Sequence, residues 1–206
     1  QMSAFAKFFR VIAIDTRGHG DSPRGNAPFT LSQFAEDLLA FMDQLQITKA
    51  DILGYSDGGN IALLFSLRNP ERVRRLVING ANLYPSGMKL APWLTIDTLY
   101  LCARIRSRFS PQAIPQRDLL GLMATQPHIQ PKSLSALNMP VLVIVGTHDL
   151  IRDGHSRRIV RSLPAGRFVR IHGGHAIAQE SPAAFNEAVL AFWTATAEQT
   201  APDSIA

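Results

Sequence analysis

Gly54-Tyr55-Ser56-Asp57-Gly58 stands between the short apolar run Ala50-Asp51-Ile52-Leu53 and the longer run Gly59-Asn60-Ile61-Ala62-Leu63-Leu64-Phe65. The first run reads as a buried strand and the second as a helix. Strand, G-x-S-x-G, helix is the setting of a nucleophile elbow, a sharp turn that lifts a serine hydroxyl above the sheet. Small residues are needed there because the strand and helix backbones pass close to each other. The five residues alone would also suit a plain glycine-rich turn; the flanking runs favour the elbow.

Outward from this turn, strands and helices alternate, which predicts an α/β fold with a mostly parallel sheet and flanking helices. Phe9 to Asp15 is expected to be the first strand, and Thr16 to Pro28 a loop rich in Gly, Asp, Ser and Pro. Thr30 offers a helix cap, with Gln33 three residues on. Leu31, Phe34, Leu38, Phe41 and Leu45 then recur at spacings of three and four, an amphipathic helix. Pro70 and Glu71 close the helix after Ser56, and Val73 to Asn79 is a strand. From Tyr84 the rhythm changes: prolines recur at 85, 92, 111, 115, 127 and 131, with helical stretches at Leu94–Ile105 and Arg117–Thr125. The reading is one core, residues 1–83 and 138–206, with a small helical cap insertion at 84–137. In the second half of the core, Val141–Gly146 and Arg167–Ile171 are strands. Gly154–Leu163 and Pro182–Ala197 are helices, with Phe185, Val189 and Phe192 on the inner face of the latter. The tail from Glu198 is expected to fray.

The 206 residues suffice for one domain. No apolar run approaches the roughly 18 residues of a membrane span. Lys7 and Arg10 follow the apolar residues of the first ten, the reverse of a signal peptide. Cys102 is the only cysteine, so an internal disulfide is excluded and a reducing, cytoplasmic setting is favoured. The net charge is +5, but the arginines are scattered over helix faces (72, 74, 75; 104, 106, 108; 157, 158, 161) and no nucleic-acid motif appears. No phosphate-binding loop, dinucleotide fingerprint or thiol metal site is present. The expectation is therefore no cofactor and no metal, no nucleic-acid or membrane partner, and a small-molecule substrate. Oligomeric state is not encoded in any pattern found.

A serine hydroxyl needs a base to act as a nucleophile. His175, in Ile171-His172-Gly173-Gly174-His175-Ala176, follows the last strand in a glycine-bearing loop. An imidazole in turn needs a carboxylate to hold its tautomer, and Asp149 follows the strand Val141–Gly146, at the sheet edge where α/β folds place ligands. Each has a duller reading. Asp149 also suits a turn residue or helix cap. His172 and His175 are spaced like a metal pair but lack a third ligand. His19 suits hydrogen bonding within its own loop, and His148 points away from the acid beside it. Asp57, next to the serine, reads first as a helix-start carboxylate favoured by the helix dipole, and second as a charge that attracts amines.

With Ser56, Asp149 and His175 in that order, the chain resembles the α/β-hydrolase-fold serine hydrolases. Four stretches carry the resemblance: Asp15-Thr16-Arg17-Gly18-His19-Gly20-Asp21-Ser22, Gly54-Tyr55-Ser56-Asp57-Gly58-Gly59, Gly146-Thr147-His148-Asp149 and Gly173-Gly174-His175. The S-D-G-G elbow, with Asn79-Gly80-Ala81-Asn82 after the next strand, is similar to the valacyclovir-hydrolase-like branch. The resemblance implies acyl transfer to water, with the Asp57 backbone N–H as an oxyanion donor. It leaves open ester, lactone, amide and carbon–carbon substrates, a cofactor-free perhydrolase or lyase, and a non-catalytic or inactive member of the fold. The front of the chain departs from the family pattern. Three strands are expected before Asp15, the last carrying a second oxyanion donor, and Met2 to Phe8 reads instead as the helix that follows them. That favours a fragment of a longer chain, with a gap between the Val11 and Ile52 segments, over a closed-up sheet in which those two strands pair directly. Loss of one oxyanion donor is worth ~10²–10³ in rate.

Overall fold

A computed structural model describes residues 1–197. Its helices and strands run α1 (Met2–Phe5), α2 (Leu31–Gln44), β1 (Ala50–Tyr55), α3 (Asp57–Arg68), β2 (Val73–Asn79), α4 (Leu90–Arg106), α5 (Ile114–Thr125), β3 (Val141–Gly146), α6 (Asp153–Arg161), β4 (Gly166–Ile171), α7 (Ile177–Glu180) and α8 (Pro182–Ala197). Short 3₁₀ turns punctuate the prolines at 70, 85, 111 and 131. The four strands form one parallel sheet in the order β1-β2-β3-β4.

The continuous apolar runs of β2 and β3 are explained by burial on both faces. Leu76, Ile78, Val141 and Val143 point into a core shared with Leu31 and Phe34 of α2, Ile61 and Phe65 of α3 and Ile159 of α6. Val77, Leu142 and Ile144 point the other way, onto Phe5 of α1 and Phe185, Val189, Phe192 and Trp193 of α8. Thr30 caps α2: its hydroxyl accepts the Gln33 N–H at 3.1 Å, while the Gln33 side chain turns to Asp37. One ion pair, with Arg75 buried and Asp51 part-buried, ties β1 to β2. Arg75, on β2, donates to both carboxylate oxygens of Asp51 on β1 at 2.8 and 2.6 Å, and also to the Trp193 carbonyl on α8.

The expected first strand is not a strand. Residues 10–15 carry no ladder, and β1 is the edge of the sheet on that side. A groove of about 1240 Å³ separates the two, lined by Val11, Ile12 and Ile14 on one wall and by Ile52 and Leu53 on the other. The apolar run Val11 to Ile14 suits a strand, but a strand exists only where a neighbour lies within hydrogen-bonding distance. Boundaries shift elsewhere. α4 begins at Leu90 rather than Leu94, and α5 at Ile114 rather than Arg117, because Pro115 is accommodated in its first turn. The helix expected over Met2 to Phe8 stops at Phe5, and the one expected over Gly154–Leu163 is Asp153–Arg161. The tail from Glu198 lies outside the described residues. Among the described residues no helix is long and apolar enough to cross a membrane.

Candidate active site

Ser56 occupies the turn between β1 and α3 at φ 53°, ψ −118°, a left-handed conformation that a non-glycine residue adopts only under constraint. The constraint is visible. Its N–H donates to the Asn79 carbonyl of β2 at 2.8 Å. A side chain on Gly54 would collide with the Gly58 backbone, and one on Gly59 would meet Ala81 at 2.9 Å. Strand and helix are thus held in backbone contact across the turn, which pushes the hydroxyl outward.

Ser56, Asp149 and His175 all follow carboxyl ends of the parallel strands, β1, β3 and β4 respectively. The structure brings the three together. His175 Nε2 lies 2.9 Å from Ser56 Oγ, and His175 Nδ1 lies 2.8 Å from Asp149 Oδ1. Asp149 is buried and accepts two further hydrogen bonds, from the Ile151 N–H at 3.0 Å and the Gly146 N–H at 3.3 Å. An ionised carboxylate has only acceptors, so it assigns the proton to Nδ1 and leaves the Nε2 lone pair toward the serine hydroxyl. Gly80 makes room for the ring: a Cβ there would sit 2.7 Å from His175 Cε1. The arrangement can take a proton from the serine and hold the resulting imidazolium. The Asp57 N–H, at the start of α3 beside the hydroxyl, has no acceptor among the described residues.

The loop carrying His175 is clamped from both sides. A side chain on Gly146 would fall on the carbonyls of Gly173 and Gly174. Glu180, on α7, accepts the Gly174 N–H at 2.6 Å, and the Ser181 hydroxyl donates to the His172 carbonyl at 2.9 Å. Tyr55 lays its ring 5.2 Å from that of His175. Its phenol is pushed up from the ordinary value by burial, then by the charges of Asp149 and Glu180. Burial also pushes the Asp57 carboxyl up. A hydrogen bond from Asn60 at 3.3 Å and the positive field of His19 and His175 oppose this. Asn60 in turn accepts the Asn82 N–H at 2.9 Å and donates to the Asn82 side chain at 3.0 Å, joining the elbow helix to the segment after β2.

The other singled-out residues lie apart from this relay. His19 is held in its own loop by Thr16 and the Arg17 carbonyl, both at 3.1 Å, and stacks on Phe29. His148 meets His172 edge to face at 5.8 Å. Among the described residues no group of three His, Cys, Asp or Glu side chains is placed to hold a metal ion. Glu180, Tyr55 and Asn60 were not found by sequence reasoning. The four-residue α7 is too short to show a period, and the pairing of Asn60 with Asn82 is set by the crossing of α3 over β2. The Asn79–Asn82 stretch was the one available signal. His155 was missed as well. Its buried Nε2 accepts the Leu83 N–H at 2.9 Å, with Tyr84 edge-on at 4.6 Å, and burial holds its pKa down to about 4.

Residues 1–101 match the family model described as alpha/beta hydrolase fold. The chain is 28% identical over 223 residues to the putative carbamate hydrolase RutD of Caulobacter sp. (strain K31), covering 93% of this chain and 83% of that one. It is 33% identical over 172 residues to a 2-hydroxymuconate semialdehyde hydrolase of Pseudomonas putida, covering 80% of this chain and 59% of the relative. Among solved structures, a hydrolase from Pseudomonas aeruginosa PA01 is similar at a TM-score of 0.71 and 28% identity, over 93% of this chain and 82% of that chain. A putative non-heme bromoperoxidase, BpoC, from Mycobacterium tuberculosis H37Rv shares the fold at a TM-score of 0.76 and 24% identity, over 95% and 85%.

Proposed function

We propose, from the premise that this chain is an α/β-hydrolase-fold protein, that it is a serine hydrolase cleaving a small carboxylic ester or related acyl substrate. The observation that carries the reading is the continuous hydrogen-bonded line from the Ser56 hydroxyl through His175 to the buried Asp149 carboxylate, with links of 2.9 and 2.8 Å. His175 takes the serine proton as Oγ attacks the carbonyl carbon, and Asp149 stabilises the imidazolium that forms. The Asp57 N–H donates to the oxyanion of the tetrahedral intermediate. His175 then returns the proton to the leaving group, and water, deprotonated in its turn by His175, releases the acyl group from Ser56. No metal or redox partner has a step in this cycle. Residues 84–137, with α4 and α5, would act as a cap over the site. Similarity to a putative carbamate hydrolase and to a 2-hydroxymuconate semialdehyde hydrolase supports extending the substrate range to carbamates and semialdehydes, and the same acyl-transfer chemistry extends to carbon–carbon bonds next to a carbonyl.

A fluorophosphonate probe tests the nucleophile and an acyl panel tests the class. Covalent labelling that disappears in Ser56→Ala, together with turnover of esters, carbamates or the carbon–carbon substrate, is the expected result. Labelling that persists in Ser56→Ala, or ligand binding without turnover of any of the three, would overturn it.

A further inference from the structure

α4 is apolar on two opposite faces, and the structure gives a partner to only one. At 100° per residue, Ile96, Tyr100, Ala103 and Ser107 form the inner face: Ala103 is buried, the other three half-buried, and Tyr100 packs on Gly121 of α5. Roughly opposite run Leu94, Thr98, Leu101 and Ile105. Leu94, Leu101 and Ile105 are each about half exposed, at 51%, 54% and 51%. Leu90 extends the stripe at one end and Phe109, 85% exposed, at the other. A helix apolar on both sides is normally covered on both, and an exposed stripe of this kind marks a contact surface.

The charges beside the stripe indicate what covers it. Asp97 and Arg104 stand on the same flank, seven residues or about two turns apart. Neither has an ion-pair partner among the described residues, and Arg104 only overlies the ring of Tyr100. We propose that this stripe is the contact between two copies of the chain, packed antiparallel about a two-fold axis between residues 100 and 101. An isologous contact sets each residue against its mirror position along the helix. That axis places Arg104 of one copy against Asp97 of the other, twice, while the apolar pairs, Leu94 with Ile105 and Thr98 with Leu101, centre one residue away, between 99 and 100. The axis that pairs the charges and the midpoint of the apolar stripe coincide to within one residue. The arginines at 104, 106 and 108 would also suit an anionic bilayer, but Asp97 would then face the headgroups without compensation. The inference is independent of the catalytic reading.

Sedimentation velocity over a concentration series tests it. The expected result is a reversible dimer that Asp97→Arg or Arg104→Asp weakens by about tenfold or more, with the double reversal returning toward the original affinity. Leu101→Asp should abolish the dimer with unchanged circular dichroism. Cys102, exposed and the only cysteine, lies just beyond the axis. A short bis-maleimide should therefore link two copies in the original chain and the double reversal, and far less in either single reversal. A chain monomeric at every concentration, or a dimer indifferent to both single reversals, overturns the proposal. So does pelleting with phosphatidylglycerol vesicles that Asp97→Arg strengthens and Arg104→Asp weakens.

Discussion

Two carboxylates near Ser56 sit in opposite environments. Asp149 is buried but carries hydrogen bonds from two backbone N–H groups and from His175, so its charge is supported. On the proposed chemistry, Asp149→Asn presents an amide to Nδ1 and turns the imidazole proton toward the serine, and kcat should fall about 10⁴-fold with little change in melting temperature. Steady-state kinetics beside a thermal melt check both halves. Asp57 has only the Asn60 amide and the field of two histidines against its burial. Its folded-state pKa is raised, so it stabilises the fold below the ordinary carboxylate range and loses that contribution as pH rises through the folded value. Asp57→Asn removes the buried charge and should raise the melting temperature at neutral pH by a few degrees, and by less at acid pH. A lower melting temperature at neutral pH would contradict the account. The placement of Ser56, Asp149 and His175 at strand ends is legible in the sequence because each follows an apolar run in a stretch rich in glycine. That of Glu180 is not, since its role depends on α7 folding back onto the histidine loop.

At the level of elements, two ties made by buried polar side chains hold the frame. Arg75 joins β1, β2 and α8 by its bonds to Asp51 and the Trp193 carbonyl. Removing it leaves the part-buried Asp51 carboxylate with only the more exposed Arg74, 3.1 Å away, and Arg75→Ala should lower unfolding free energy by about 1–3 kcal/mol in a denaturant titration. His155 joins α6 to the segment after β2 by accepting the Leu83 N–H, which requires a neutral ring. Its pKa is held down to about 4, below the unfolded value near 6.5. The unfolded chain therefore takes up a proton first as pH falls. Stability from this group is complete above about 6.5 and declines through the interval down to about 4. His155→Gln should flatten stability against pH in that window. Neither tie is readable along the chain: an arginine in a strand and a histidine near a helix start look like surface residues until the packing removes their water.

The whole molecule is protected unevenly. β2 and β3 are paired on both sides and covered on both faces, whereas residues 10–15 border the groove beside β1 without a ladder. Hydrogen exchange should find residues 10–15 unprotected while residues 76–79 and 141–145 exchange slowest; comparable protection in the two regions would mean that the segment is paired after all. The sequence by itself determined the alternation of strands and helices, the elbow at Ser56 and the order of its two partners. These follow from local periodicity and from glycines that only close backbone approaches require. Tertiary structure alone decided that the Val11 segment is not a strand, that α4 keeps an uncovered apolar face, and that Asn60, Glu180, His155 and Arg75 are structural partners. Hydrogen bonding and burial are relations between distant segments, and a one-dimensional pattern records which residues are able to form them but not which ones meet.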